Sequence, residues 1–232
     1  MRSVWAAFAG AGLRLVPAYT TSRRHTLFVG GIVLCGGKSR RMGQPKEWLS
    51  IRGEPMLRRV VRRLGEVVSL IVVVAAADQE LPPLPAHVLV AHDVYPDRGP
   101  LEGLRAGLCA MTALASPTPE AVFVVSCDAP LLTSAFVQRV IESLDADDEA
   151  AVPDVDDRLH PLASIYRVSV LATIDRLLAA DQRRMQDLCA AIRTRRIPIA
   201  ALREVDPDLA SLVNVNRPEE FEFALRALEN GR

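Results

Sequence analysis

The sequence predicts an α/β fold: a single domain with a mostly parallel twisted sheet and helices on both faces. From Gly30 onward, short runs of Val, Ile and Ala alternate with longer stretches of helical periodicity. The apolar runs are near-continuous, as in strands covered on both sides. No internal repeat or low-complexity linker interrupts the 232 residues, and half of them are hydrophobic, enough for one sizeable core. The domain is read as residues 29–232. Residues 1–28, which lack this patterning, are read as a disordered N-terminal extension.

The elements follow in order. Ile32 to Leu34 is a short apolar strand, followed by Cys35 and a glycine pair. Met56 to Val68 has apolar positions at helical spacing, with Arg58, Arg59, Arg62 and Arg63 expected on the wet face. Leu70 to Ala75 and Val88 to Val90 are strands, joined by a loop containing Pro82, Pro83 and Pro85. A helix is expected over Leu101 to Met111, with Pro100 suited to its first turn. Ala121 to Val125 is another buried strand, and Thr133 or Ser134 caps a helix that runs to Leu144. After Ala150 the pattern loosens. Ala163 to Tyr166 suggests a strand, Val168 to Ala180 and Met185 to Ile192 suggest helices, and Ile197 to Ile199 suggests an edge strand around Pro198. Pro218 to Leu228 closes the chain as a helix, with Glu219 and Glu220 placed to suit its dipole.

Composition narrows the function. The 28 basic and 28 acidic residues cancel, which gives no reason to expect a nucleic-acid surface or a membrane patch. Any bound anion must be held by a local constellation. The four cysteines have no CxxC spacing, which disfavours a zinc site. Cys35 and Cys127 each end an apolar run and read as buried free thiols in a reducing, cytoplasmic compartment. The uncharged run Val4 to Leu13 behind Met1 and Arg2 is too short to span a bilayer. It is either an export signal, a loose extension or the product of an early start, and the next methionine is Met42.

Four segments carry chemistry. The first is the run Leu34 to Lys46, LCGGKSRRMGQPK, directly after the first strand. Its glycines let backbone N–H groups approach an anion, and Arg40, Arg41 and Lys46 add positive charge where ligands of parallel sheets sit. It matches neither the Walker nor the GxGxxG pattern. The second is SCDAPLL, in which Asp128 ends a buried strand, a suitable place for a Mg²⁺ ligand or for a carboxylate capping the next turn. The third, HDVYPDRGPLEG, carries Asp93, whose carboxylate can accept from two guanine N–H groups or can simply lie in a surface turn. The fourth is NVNRPEE. Alternation puts Asn214 and Asn216 on one side of an extended segment, while Asn216 could equally cap the last helix. His160 reads as structural, and Arg183 and Arg184 either reach an anionic substrate or solvate a helix end. No Ser/His/Asp triad or Cys/His pair stands out. That suits a phosphate nucleophile, which is already anionic near neutral pH and needs alignment and charge neutralisation more than a general base.

In order and spacing, LCGGKSRRMGQPK, HDVYPDRGPLEGL, CDAPLL, HPLASIY and NVNRPEE resemble the molybdenum cofactor guanylyltransferases, over roughly Gly30 to Leu228. These belong to the wider pyrophosphorylase-like nucleotidyltransferases, with a Rossmann-like fold. The resemblance implies transfer of GMP from GTP to the terminal phosphate of molybdopterin, with Mg²⁺, in the cytoplasm, and transient contact with molybdoenzyme maturation proteins. It puts Leu34, Cys35, Gly36 and Gly37 against the nucleotide, Lys46 on its phosphates, Arg41 near the reacting phosphates and Asp93 on the guanine. Asp128 would hold Mg²⁺, and Asn214 and Asn216 would lie on the molybdopterin side. Pro45 stands where relatives often have Asp, and Ala75-Ala76-Ala77 stands where some have a base-binding Asn. The alternatives are a cytidylyltransferase of the same cofactor, a sugar-phosphate-type nucleotidyltransferase and a catalytically silent nucleotide-binding module.

Overall fold

The computed structural model describes residues 27–36, 45–93 and 98–229. Apart from Leu27 and Phe28, the expected N-terminal extension lies outside the described residues, as do Gly37 and Arg41.

Strand β1 (Val29–Leu34) is buried along its whole length, as its run of small and branched residues requires. It lies between β4 (Ile71–Ala76) and β6 (Ala121–Ser126), parallel to both. The β5 strand (Val88–Asp93) adds in parallel outside β4 and forms one edge of the sheet, so its burial alternates instead of being complete. On the other side β9 (Ala163–Arg167) runs antiparallel to β6 and to β7 (Ala150–Val155). The far edge is β10 (Thr194–Pro198), parallel to β7. The path is β10-β7-β9-β6-β1-β4-β5, with the two-residue β8 (Arg158–Leu159) folded back on β7.

Because alternate residues of a strand face opposite ways, β1 feeds two cores. Val33 joins Leu57, Val60 and Leu64 of α1 (Met56–Gly65) and Phe136, Val137 and Val140 of α3 (Ser134–Glu142). Ile32 joins Leu101, Leu104 and Leu108 of α2 (Pro100–Leu114), Ile174 of α4 (Leu171–Ala179) and Leu188 of α5 (Met185–Ala191). Helices therefore cover both faces, as the near-continuous apolar strands imply. Pro100 opens α2, and Thr133 caps α3 by accepting from the Phe136 N–H at 3.2 Å. A third, smaller cluster gathers Leu49, Ile51, Met56, Leu131 and Val215 with Ala224 and Leu228 of α7 (Pro218–Glu229), which ties the end of the chain to the loops above the sheet. The hairpin β2 (Ser50–Ile51) and β3 (Glu54–Pro55) turns through Arg52 and Gly53, both at positive φ, as a two-residue primed turn requires. The short α6 (Ile199–Arg203) follows β10.

Four sequence expectations need correction. Arg59 is not on the wet face of α1 but is 7% exposed. That helix ends at Gly65, three residues before Val68. Ile199 begins α6 and does not continue the edge strand. The loosened region after Ala150 contains the strand β7. Its pairing with β9 extends only from Ala150 to Ala151, and Pro153 beyond has no N–H to donate, so the pattern is short and broken.

The helices approach the sheet closely at glycines. A Cβ on Gly107 of α2 would lie 2.8 Å from Cγ2 of Ile32 and 3.1 Å from Cγ2 of Val74. Gly107→Leu is therefore expected to destabilise the fold by about 1–3 kcal/mol through overpacking. Urea unfolding checks this, and an unchanged midpoint would show that α2 does not pack at that distance.

Candidate active site

The strands β5, β4, β1 and β6 are parallel, so their carboxyl ends share one sheet edge. Asp93, Cys35 with Gly36, and Cys127 with Asp128 all sit there, which is where open parallel sheets bind ligands. The Cys127 N–H donates to the Leu34 carbonyl at 2.9 Å, and Cys35 N–H donates to Val74 at 2.7 Å, fixing the strand ends against each other. The side chain of Leu34 belongs to the core beneath α2, so only its backbone faces this edge. Among the described residues, a Cβ on Gly36 would meet nothing within 4 Å, so those residues leave room there for a close-approaching ligand.

Lys46 opens a short 3₁₀ turn, Lys46–Trp48, and reaches back over the edge. Its Nζ donates to Oδ2 of Asp128 at 3.1 Å and to Oδ1 of Asn216 at 2.7 Å. Both members of the Lys46–Asp128 pair are largely shielded, with side chains 16% and 13% exposed. Oδ1 of Asp128 is buried and has no hydrogen-bond partner among the described residues. Asp128 therefore does not cap the following turn, whose closing hydrogen bond runs from Leu132 N–H to Ala129 O.

The segment after Leu212 is pinned beside Asp128 by Val215 N–H donating to the Asp128 carbonyl at 2.8 Å. Val215 points into the third core cluster, and Asn214 and Asn216 on either side of it are exposed. The expected alternation holds. The start of α7 is capped by Glu220, whose carboxylate accepts from the N–H groups of Asn216 and Arg217. The Asn216 side chain is thereby free of capping duty and goes to Lys46.

Asp93 stands apart. It is on the edge strand, three strands from β6, which at ordinary spacing is about 14 Å. The structure thus brings Lys46, Asp128 and Asn216 together at one end of the edge and leaves Asp93 at the other.

Three residues were missed from the sequence. Gln79 accepts from Ala76 N–H at 3.1 Å and donates to the Cys35 carbonyl at 2.9 Å and to Oε1 of Glu47 at 2.6 Å. It staples the ends of β4 and β1 to the turn that carries Lys46. Glu47 itself is 5% exposed, and no local pattern marks either residue. Arg59 donates from Nε to the Pro130 carbonyl at 2.8 Å and so anchors the loop after Asp128. Burial lowers its guanidinium pKa from the ordinary value, followed by repulsion from Arg63 and Arg62. Its one sequence signal is position: three residues after Met56 and one before Val60, it flanks the apolar stripe. The hydrogen bond with Cys35, then burial, push the Cys127 thiol well above its usual range, so Cys127 stays protonated.

Comparison with known proteins gives the family. A family model described as the MobA-like NTP transferase domain matches residues 31–197. The chain belongs to this family. It is 33% identical over 205 residues to a molybdenum cofactor guanylyltransferase of Desulfosudis oleivorans, covering 88% of this chain and 98% of that one. It is 35% identical over 196 residues to a probable molybdenum cofactor guanylyltransferase of Methanothermobacter thermautotrophicus, covering 82% and 95%. Among solved structures, molybdopterin-guanine dinucleotide biosynthesis protein A of Archaeoglobus fulgidus aligns with TM-score 0.70 at 20% identity, over 87% of this chain and 99% of that one. A 4-diphosphocytidyl-2C-methyl-D-erythritol synthase of Anaerococcus prevotii aligns with TM-score 0.62 at 12% identity, over 88% and 96%, and shares the fold. The matched span of the NTP transferase domain takes in Lys46 and Asp128, while Asn214 and Asn216 lie beyond its end.

Arg59→Met should keep most of the packing of the arginine stem but leave the Pro130 carbonyl unpaired. The expected cost is about 1.5–3 kcal/mol, the scale of a hydrogen bond to a charged group, with turnover per folded molecule reduced as the Asp128 loop loosens. Wild-type stability and turnover together would show that the loop does not depend on this anchor.

Proposed function

We propose that this protein transfers GMP from GTP to the terminal phosphate of molybdopterin and releases pyrophosphate. The observation that carries the reading is the shielded Lys46–Asp128 pair at the common strand edge, with one carboxylate oxygen of Asp128 unpartnered among the described residues. The names of the relatives, at 33% and 35% identity over most of the chain, supply the substrates.

The chemistry is a displacement at phosphorus. An oxygen of the acceptor's terminal phosphate forms a bond to the α-phosphorus of GTP, the bond from that phosphorus to the bridging oxygen breaks, and pyrophosphate leaves with its electron pair. A phosphate monoester has its second pKa near about 6, so the attacking oxygen is already anionic and no protein base is required. The chain's task is to hold two anions together. In this reading the Lys46 ammonium neutralises the nucleotide's phosphates, which approach the backbone at Gly36, a reading supported by the position of Lys46 beside Asp128. In this reading Leu34, Cys35, Gly36 and Gly37 line the nucleotide, and Arg41 lies near the reacting phosphates. Asp93, at the far end of the edge, takes the guanine, and Asn214 and Asn216 lie toward the acceptor.

The donor set fits Mg²⁺. The buried, unpartnered Oδ1 of Asp128 is a hard oxygen ligand of the kind this ion uses with substrate phosphates. Bound there, Mg²⁺ would supply charge neutralisation at the phosphates. Among the described residues no group of three His, Cys, Asp or Glu side chains could hold a metal alone, so the phosphates themselves would complete its coordination. The same reading carries a cytoplasmic location, supported by four free thiols, and handover of the product to molybdoenzyme maturation proteins. No described helix is long and apolar enough to cross a membrane.

Lys46→Ala and Asp128→Ala should each lower guanylyl transfer about 10²-fold or more, the scale for removing a group that stabilises transition-state charge. Both side chains sit on loops above the sheet, so melting temperatures should change little. GTP with Mg²⁺ should raise the melting temperature more than CTP or ATP does, and at about 100 times the dissociation constant saturation adds roughly 2.7 kcal/mol. Near-wild-type transfer by either variant would rule out this site, and stronger stabilisation by CTP would replace the guanylyl reading with a cytidylyl one.

A further inference from the structure

We propose that Asn216 is a positioning residue for Lys46, holding the ammonium that meets the donor's phosphates, so that its main effect falls on the triphosphate and not on the acceptor. The inference rests on Lys46 acting at the phosphates, as in the function proposed above. It departs from that reading in the role it gives to one of the two asparagines.

The geometry is direct. Lys46 Nζ lies 2.7 Å from Oδ1 of Asn216 and 3.1 Å from Oδ2 of Asp128, two acceptors from segments 88 residues apart that meet on one lysine. An ammonium offers only donors, so the amide must present its carbonyl to Lys46, and the orientation of Asn216 is fixed by that contact. A lysine side chain is long and has many rotamers, and each acceptor it meets restricts them. The restraint from Asn216 comes from a neutral group. It restrains the ammonium without cancelling its charge, whereas a second carboxylate would neutralise the charge the phosphates need.

The backbone around Asn216 is built for this reach. Val215 N–H is bonded to the Asp128 carbonyl, and the Val215 side chain is buried, so the segment cannot slide along β6 without breaking both. The Oδ1 of Asn216, the atom that a capping asparagine would turn to the helix N–H groups, accepts from Lys46 instead, and it is Glu220 that accepts from the N–H groups of Asn216 and Arg217. Asn214 faces the same side two residues earlier and makes no hydrogen bond to Lys46. The two amides, which alternation alone makes equivalent, therefore have different work.

The test is a double-mutant cycle read by equilibrium binding of Mg²⁺–triphosphate, without acceptor. Asn216→Ala should weaken binding about tenfold, the scale of one lost hydrogen bond to a charged group. In a Lys46→Ala background the same substitution should change binding less than twofold, because there is no ammonium left to position. The KM for molybdopterin should stay within twofold in Asn216→Ala, and the urea midpoint should match wild type. Equal, additive losses in the two backgrounds would overturn the inference, as would unchanged triphosphate binding with a raised molybdopterin KM. A lowered urea midpoint with unchanged binding by the folded fraction would also overturn it, by making the residue structural. The phosphates are common to every triphosphate, so the cycle is run with whichever of GTP, CTP, ATP and UTP wild type binds best. A preference other than GTP counts against the proposed guanylyl function, and additivity counts against this inference.

Discussion

Two backbone hydrogen bonds hold the site together. One joins Cys127 N–H to the carbonyl of Leu34 and locks the end of β6 to the end of β1. The other joins Val215 N–H to the carbonyl of Asp128 and locks a segment from near the end of the chain to both. Three of the groups at this edge are positioned by those bonds. The Gly36 backbone follows β1, the Asp128 carboxylate follows β6, and the Asn216 amide follows Val215. Such bonds form reliably because an unpaired buried N–H or carbonyl is costly, so the backbone sets the positions before any side chain is chosen. The side chains then need only reach. Lys46 spans the gap, and Gln79 holds the turn from which it starts.

This arrangement explains why the site needs so few residues. A displacement at phosphorus by an anionic nucleophile asks for alignment and for positive charge, and a parallel sheet supplies alignment through the common direction of its strands. The charged groups are mostly shielded from water, which strengthens their interaction with phosphates. Val215 and Leu131, close in sequence to Asn216 and Asp128, belong to the third core cluster. That cluster makes α7 part of the site's support although no residue of the helix itself is placed on a substrate.

Much of this was legible in the sequence because it rests on local pattern. The runs Ile32–Leu34 and Ala121–Val125 carry their own evidence of burial on both sides, and both lie within observed strands. Asp128 and the glycines after Cys35 are recognisable because they follow such runs directly. The alternation of Asn214, Val215 and Asn216 is likewise local, and burial follows it. What could not be read depends on contacts between distant segments. Arg59 looks like any solvated arginine of a basic helix until the Pro130 carbonyl is placed beside it. Gln79 and Glu47 are 32 residues apart, and their pairing exists only once β4 lies next to β1. The β7 strand was hidden because Pro153 and Asp154 interrupt an apolar run that the neighbours β9 and β10 complete in space. The double role of Lys46, shared between Asp128 and Asn216, is of the same kind.

The account stands on the claim that this edge moves the guanylyl group of GTP, its α-phosphate with the guanosine still attached, to a phosphate acceptor. The direct measurement follows isotopic label in a reaction of the purified protein with Mg²⁺, molybdopterin and GTP labelled at either the α- or the γ-phosphorus. The account predicts that α-label appears in the dinucleotide product and γ-label in pyrophosphate, in equal molar amounts and only when acceptor is present. Transfer of γ-label to the acceptor with formation of GDP, or release of α-label as GMP with no labelled dinucleotide, would contradict it.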